Sequence, residues 1–214
     1  QMVLLYRNSY KSIEELSKEE MRLGGLRIDP KTNIGSRVTY INNVKLKNLD
    51  KKEAKIVQVE GLPENPKLTN FKWSPDQSKI ALTNTTSEGV ELWILDIESA
   101  SVSKITEAKL NANIGNVIHW FEDGTSLLVK MISKNREPLI NTKTAVPIGP
   151  TISVNDGKKA QNRTYQDLLK NKNDEHNFEQ LAMSEIHKVS LDGSKEKWLE
   201  ADLFRELTFS PDGN

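Results

Sequence analysis

Short apolar runs rich in β-branched and aromatic residues, each closed by a polar turn, recur along the whole chain and predict strands as its main element. The first, Met2-Val3-Leu4-Leu5-Tyr6, begins without a cap or turn before it. The last, Leu207-Thr208-Phe209, runs into Ser210-Pro211-Asp212-Gly213 with no returning strand. Both ends are expected to be cuts through a larger array. Within that array one pattern repeats. Phe71-Lys72-Trp73-Ser74-Pro75-Asp76 and the following Ile80-Ala81-Leu82 line up with Ile118-His119-Trp120-Phe121-Glu122-Asp123 and Leu127-Leu128-Val129, and again with Leu207 to Asn214. Trp73, Trp120 and Phe209 mark one repeated position; Asp76, Asp123 and Asp212 mark another. Each copy predicts a hairpin: a strand ending on an aromatic residue, a turn in which Pro sets φ and Asp binds its own backbone, then an apolar strand.

After the first copy, Val90–Ile97 and Val102–Thr106 supply two further strands, so four strands separate one aromatic mark from the next. Four antiparallel strands per unit make a propeller blade. The 47 residues from Trp73 to Trp120 fit one blade, whereas the 89 from Trp120 to Phe209 are almost twice too many. Only one copy of the outer hairpin Glu91–Thr106 lies in that longer interval, at Ser184–Leu199, so Ser133–Leu181 is expected to be an insertion between the second and third strands of a single blade. The N-terminal region parses alike, with Met2–Arg7 as a second strand, Arg37–Leu49 as a third and Ala54–Gly61 as a fourth.

The predicted fold is therefore all-β, a partial β-propeller of four-stranded antiparallel blades with short helices in two insertions. Its expected units are a blade lacking its first strand (1–62) with a helical insertion at 8–36, a complete blade (63–106), a blade carrying the long insertion 133–181 (107–204), and the start of the next blade (205–214). Antiparallel strands reverse direction at each step, so both insertions are expected on one face and the Pro-Asp turns on the other. Ser12-Ile13-Glu14-Glu15 is a capping-box pattern opening a helix, with Ile13, Leu16, Met21 and Leu23 as its expected apolar contacts. Thr164-Tyr165-Gln166-Asp167 is a second cap-like start, with Phe178 and Leu181 expected to pack.

Composition narrows function mostly by exclusion. The 214 residues carry 30 basic and 30 acidic side chains, a balance that offers nucleic acid or an anionic membrane no attracting field. No apolar run approaches the ~20 residues of a membrane span. With no cysteine there is neither a disulfide framework nor a thiolate metal site, but the compartment stays open, an exported bacterial location being slightly favoured over the cytoplasm. No Gly-x-Ser-x-Gly elbow occurs, and His119, His176 and His187 are too scattered to share a metal. Leu23-Gly24-Gly25-Leu26 lacks the spacing of a phosphate loop and reads as a turn. Trp73, Trp93, Trp120 and Trp198 are expected to pack in the core, and the repeated aspartates to hold turns. No catalytic residue, cofactor or metal is expected in this chain.

Several strings together resemble the propeller of the prolyl oligopeptidase family of serine peptidases, in its glutamyl endopeptidase (acylaminoacyl-peptidase-like) branch. They are Leu23-Gly24-Gly25-Leu26-Arg27-Ile28, Gly61-Leu62-Pro63-Glu64-Asn65-Pro66, Thr83-Asn84-Thr85-Thr86 with Val90-Glu91-Leu92-Trp93, and, most specifically, Ala145-Val146-Pro147-Ile148-Gly149-Pro150 and Arg163-Thr164-Tyr165-Gln166-Asp167-Leu168-Leu169-Lys170. The resemblance implies a C-terminal α/β-hydrolase domain of the same polypeptide bearing Ser, Asp and His, with the propeller gating access for peptide substrates. It also implies cleavage after glutamate, for which Arg7 and Arg163 are candidate cations by location. Oligomerisation is left open. The competing expectation is a binding-only, Tol-like propeller scaffold for protein–protein contacts.

Overall fold

The computed structural model describes residues 1–49, 55–141, 144, 149, 157 and 167–210. In chain order the elements begin with β1 (Met2–Tyr6), α1 (Ile13–Leu16), β2 (Met21–Leu23), β3 (Leu26–Asp29), β4 (Ile34–Gly35), β5 (Asn43–Lys47) and β6 (Ile56–Gln58). There follow β7 (Leu68–Trp73), β8 (Lys79–Thr85), β9 (Val90–Asp96), β10 (Ser101–Lys104), β11 (Ile118–Trp120) and β12 (Ser126–Ile132). The last are α2 (Lys172–Ala182), β13 (Ser184–Ser190) and β14 (Lys195–Asp202). They form antiparallel meanders: β1-β5-β6, β7-β8-β9-β10 and β11-β12-β13-β14, with β2-β3-β4 as a smaller sheet inside the first insertion. The fold is all-β and propeller-like, built of blade-type sheets as the repeat predicts.

The middle strands explain the continuous apolar runs. Ile80, Leu82 and Leu95 turn toward the first sheet, packing with Val44, Leu46 and Leu68, while Ala81, Leu92 and Ile94 turn the other way onto Ile118, Leu127 and Val129. Successive residues of a strand point to opposite faces, and here both faces are covered by a neighbouring sheet. A third cluster on the far side of the last sheet joins Phe121, Leu128 and Ile186 to Phe209, whose ring centroid lies 4.7 Å from that of Phe121.

The repeated aspartates hold the β7–β8 and β11–β12 turns in the same way. Asp76 accepts from the Ser78 amide (3.1 Å) and from the hydroxyls of Ser74 and Ser78 (2.6 Å each), which draws its carboxyl down to about 2. Asp123 accepts from the Thr125 amide (2.9 Å) and hydroxyl (2.8 Å), and its carboxyl is lowered for the same reason. Asp212 lies outside the described residues.

Three expectations need correcting. The tryptophans divide: Trp120 and Trp93 are half-buried and pack against the two main core clusters, whereas Trp73 and Trp198 are each 44% exposed. An indole N–H needs an acceptor, and the half-buried pair find one: Trp120 Nε1 donates to the Lys72 carbonyl (2.9 Å), linking the first strands of adjacent sheets, and Trp93 Nε1 donates to Glu91 (2.8 Å). The first insertion is mainly a small sheet; its helix α1 is four residues long. The capping box forms, but Ile13 is 85% and Leu16 54% exposed, and Met21 and Leu23 reach apolar contacts from β2 instead. The helix of the long insertion starts after Asn171, whose side chain accepts from the Asp174 amide, and 167–171 before it are not helical; the expected start at Thr164 lies outside the described residues.

Candidate functional site

The face that carries both insertions is assembled by short-range chemistry at three levels. The β2–β3 turn places Gly24 and Gly25 at φ +57° and +82°, the left-handed pair that a two-residue hairpin requires. A side chain at Gly24 would put its Cβ 2.9 Å from Phe178 Cε2, so α2 lies directly on the turn. Leu23, Ile28 and Leu181 form a buried cluster there, edged by Leu139, Leu169 and Phe178. Polar bonds reinforce it: the Gly25 amide donates to the Asp167 carbonyl (3.1 Å), Arg27 pairs with Asp167 (3.8 Å), and Arg136 Nη1 donates to Asn33 Oδ1 (2.5 Å). The two insertions thus share a face and touch one another.

Buried amides and a carboxylate tie down the root of the long insertion. Asn111 Nδ2 donates to the carbonyls of Leu181 (3.0 Å) and Met183 (2.9 Å), and Asn113 Nδ2 to that of Leu181 (2.7 Å). Glu185, 4% exposed, accepts at Oε1 from the Ser133 hydroxyl (3.2 Å) and the Lys134 amide (3.1 Å), and its Oε2 lies 3.0 Å from His187 Nε2. Burial pushes this carboxyl up, but these donors prevail and hold it below its ordinary range. Farther out, Gln180 accepts from the Glu137 amide (2.8 Å), and Asn177 both donates to Ile140 and accepts from it. These backbone groups lack strand partners, and side chains of α2 satisfy them.

Lys130 performs the corresponding task where the chain leaves the last sheet. Only 2% exposed, its ammonium donates to three carbonyls, those of Ile114 (3.0 Å), Phe204 (2.7 Å) and Arg205 (2.8 Å). Its three protons are all used. Burial pushes its pKa down. His119 is also shifted down, first by burial and then by Lys72 and Lys130. Among the described residues no three His, Asp or Glu side chains stand together to hold a metal.

Between the first insertion and the second sheet lies a cleft of about 1170 Å³. Its walls are the α1 segment, the β3–β4 turn, the 63–67 connection and, from the second sheet, the ends of β8–β10 with the β8–β9 turn. Arg7 is exposed just past β1, at an adjoining recess of about 290 Å³ that shares Asn8, Lys11 and Lys67 with the cleft. Arg163 lies outside the described residues, so the structure does not bring the two candidate cations together. Sequence reading missed Lys130, Glu185, Asn111 and Asn113. One signal was available: the glutamate second in Val90-Glu91-Leu92-Trp93 recurs in Ser184-Glu185-Ile186-His187, each time two residues before a ring nitrogen that reaches it.

No family model matches the chain. In sequence it is 29% identical over 224 residues to "Probable glutamyl endopeptidase, chloroplastic" of Oryza sativa subsp. japonica, covering 99% of this chain and 24% of that protein. The protein of the same description from Arabidopsis thaliana is 28% identical over 204 residues, covering 90% of this chain and 21% of that one. Among solved structures, Pyrococcus horikoshii acylaminoacyl peptidase matches at 15% identity and a TM-score of 0.38, over 81% of this chain and 23% of that one. TolB from Acinetobacter baumannii matches at 14% identity and 0.38, over 80% and 30%.

Proposed function

We propose that this chain, a peptidase-related propeller segment spanning about a quarter of its curated relatives' length, screens peptide substrates for an α/β-hydrolase domain of the same polypeptide. The observation that carries this reading is similarity to a glutamyl endopeptidase across 99% of the chain, including the insertion-bearing segments. In support, the insertions are fastened to each other and to the sheets by buried bonds, as a rigid selecting face requires. Arg7 and Arg163 remain the proposed contacts for an acidic substrate side chain.

The test begins with the reading frame. A Gly-x-Ser-x-Gly elbow downstream, and covalent labelling of the full-length protein by a fluorophosphonate, are expected; a protein without that elbow and inert to the reagent overturns the proposal. In an active protein, excising the 141–166 segment should broaden the size range of peptides cleaved, and Arg7→Ala should raise KM for glutamate-containing peptides more than it lowers kcat.

A further inference from the structure

The second and third strands of the three blade-type sheets pair in one register, and at equivalent positions the first sheet departs from the other two. In the second sheet the pairs Ile80↔Leu95 and Leu82↔Trp93 pack on the sheet before it, and in the last sheet Leu127↔Val189 and Val129↔His187 stand on the corresponding side. Directly paired residues share a face. The same positions of the first sheet are Met2↔Lys47 and Leu4↔Lys45, with Tyr6↔Asn43 beside them, and β6 sets Ile56 opposite Lys47 and Gln58 opposite Lys45. Val3, Val44 and Leu46 point the other way, onto the second sheet. This far face therefore keeps an apolar half, in which Met2 and Leu4 are half-buried, but puts two lysines where the other sheets have a ring and an aliphatic side chain. None of its strand positions is Asp or Glu. Lys45 Nζ lies 5.0 Å over the Tyr6 ring, and among the described residues neither Lys45 nor Lys47 has a carboxylate partner. No sheet covers the face among the described residues.

We infer that this face is sealed by an adjoining sheet of the same polypeptide, apolar where it meets β1 and bearing Asp or Glu where it meets Lys45 and Lys47. Three observations carry the inference. The equivalent side of each sister sheet is covered by a sheet. Covering two ammonium groups is unfavourable unless carboxylates meet them, and the face supplies none of its own. The chain spans about a quarter of its curated relatives' length, which leaves polypeptide of the same protein to provide the partner. The junction is then ionic, whereas no lysine stands at these positions in the two junctions that the structure shows. The inference rests on the sheet plan and holds whether or not the full-length protein hydrolyses peptides.

Full-length protein, mixed from heavy-isotope and ordinary batches, is treated with a water-soluble carbodiimide, which condenses a lysine with a carboxylate touching it, and the links are read by mass spectrometry. Lys45 or Lys47 is expected to be joined to an Asp or Glu outside residues 1–214 of the same copy, with the Lys104–Glu91 pair (3.7 Å) as the reference link. In parallel, Lys45→Glu/Lys47→Glu should speed amide hydrogen exchange across β1 and β5 by about tenfold or more and leave β12 and β13 unchanged. If the charge reversal prevents folding, the cross-link in the unaltered protein decides. The inference is overturned if the reference link forms while neither lysine is joined, if their links run only between copies or only to carboxylates within 1–214, or if exchange in β1 and β5 is unchanged in the folded variant.

Discussion

The β7–β10 and β11–β14 sheets are built on one plan and differ in what hangs from it. Their central strands pair in equivalent registers, Lys79↔Asp96 to Thr85↔Val90 in one and Ser126↔Ser190 to Ile132↔Ser184 in the other. In the first sheet the second-to-third connection is a tight turn closed by the Thr86 amide on the Gly89 carbonyl; in the second it is the long insertion. Equivalent positions have changed role accordingly. Thr83 binds Thr69 and Asn70 within its own sheet, whereas Lys130 at the same place reaches carbonyls of the segments entering and leaving its sheet. Glu91 serves only its own sheet, while Glu185 also grips the start of the insertion. The strand plan tolerates a large insertion because side chains, not the ladder, absorb it.

The sharpest way to break this parallel is at the Lys130 position. Lys130→Met removes the donor of three carbonyls and leaves its own pocket without a charge, and should cost about 3 kcal/mol in chemical denaturation, against about 1 kcal/mol for Thr83→Val. Equal losses would refute the difference in role. Next come the two glutamates. Glu185→Ala and Glu91→Ala should each cost about 2 kcal/mol, but only the former should speed tryptic cleavage at Lys134 and Arg136. Gly24→Ala is expected to cost about 1–2 kcal/mol, from the left-handed φ and the collision with Phe178. It should loosen α2, seen as faster hydrogen exchange in 172–182, and leave the β7–β10 sheet untouched. The smallest effects belong to the feature both sheets share. A carboxyl whose pKa is lowered on folding, as at Asp76 from 3.8 to about 2, adds stability that is complete above 3.8 and lost as pH falls through about 2. Asp76→Asn should shave the acid limb of a melting-temperature profile in that window, and Asp123→Asn should act in the same direction.

Much of the framework was legible because two local rules agree at each repeat: an aspartate that binds its own turn, and an apolar strand that must be covered on both faces. The position of the long insertion followed from counting outer hairpins. What escaped was whatever depends on partners distant in sequence. Lys130 looks like any strand lysine until Phe204 and Arg205 pass over it. Trp73 and Trp198 were misplaced because a recurring aromatic implies packing but not depth. The small β2–β3–β4 sheet was hidden by a capping box that is real but governs one turn of helix. The cleft could not be foreseen, since its walls come from segments as far apart in sequence as Asn8 and Lys104.

The bonds at the root of the long insertion bear on how such a protein changes over generations. Because Asn111, Asn113 and Glu185 clamp both ends of the excursion close to the strands, closing the chain between them is already paid for, and doubling its length adds only about 0.6 kcal/mol. Lineages can therefore lengthen, shorten or rewrite the tip without retuning the sheet beneath it. The root is expected to evolve slowly and the tip fast, so that the surface the insertion presents drifts while the scaffold keeps its shape.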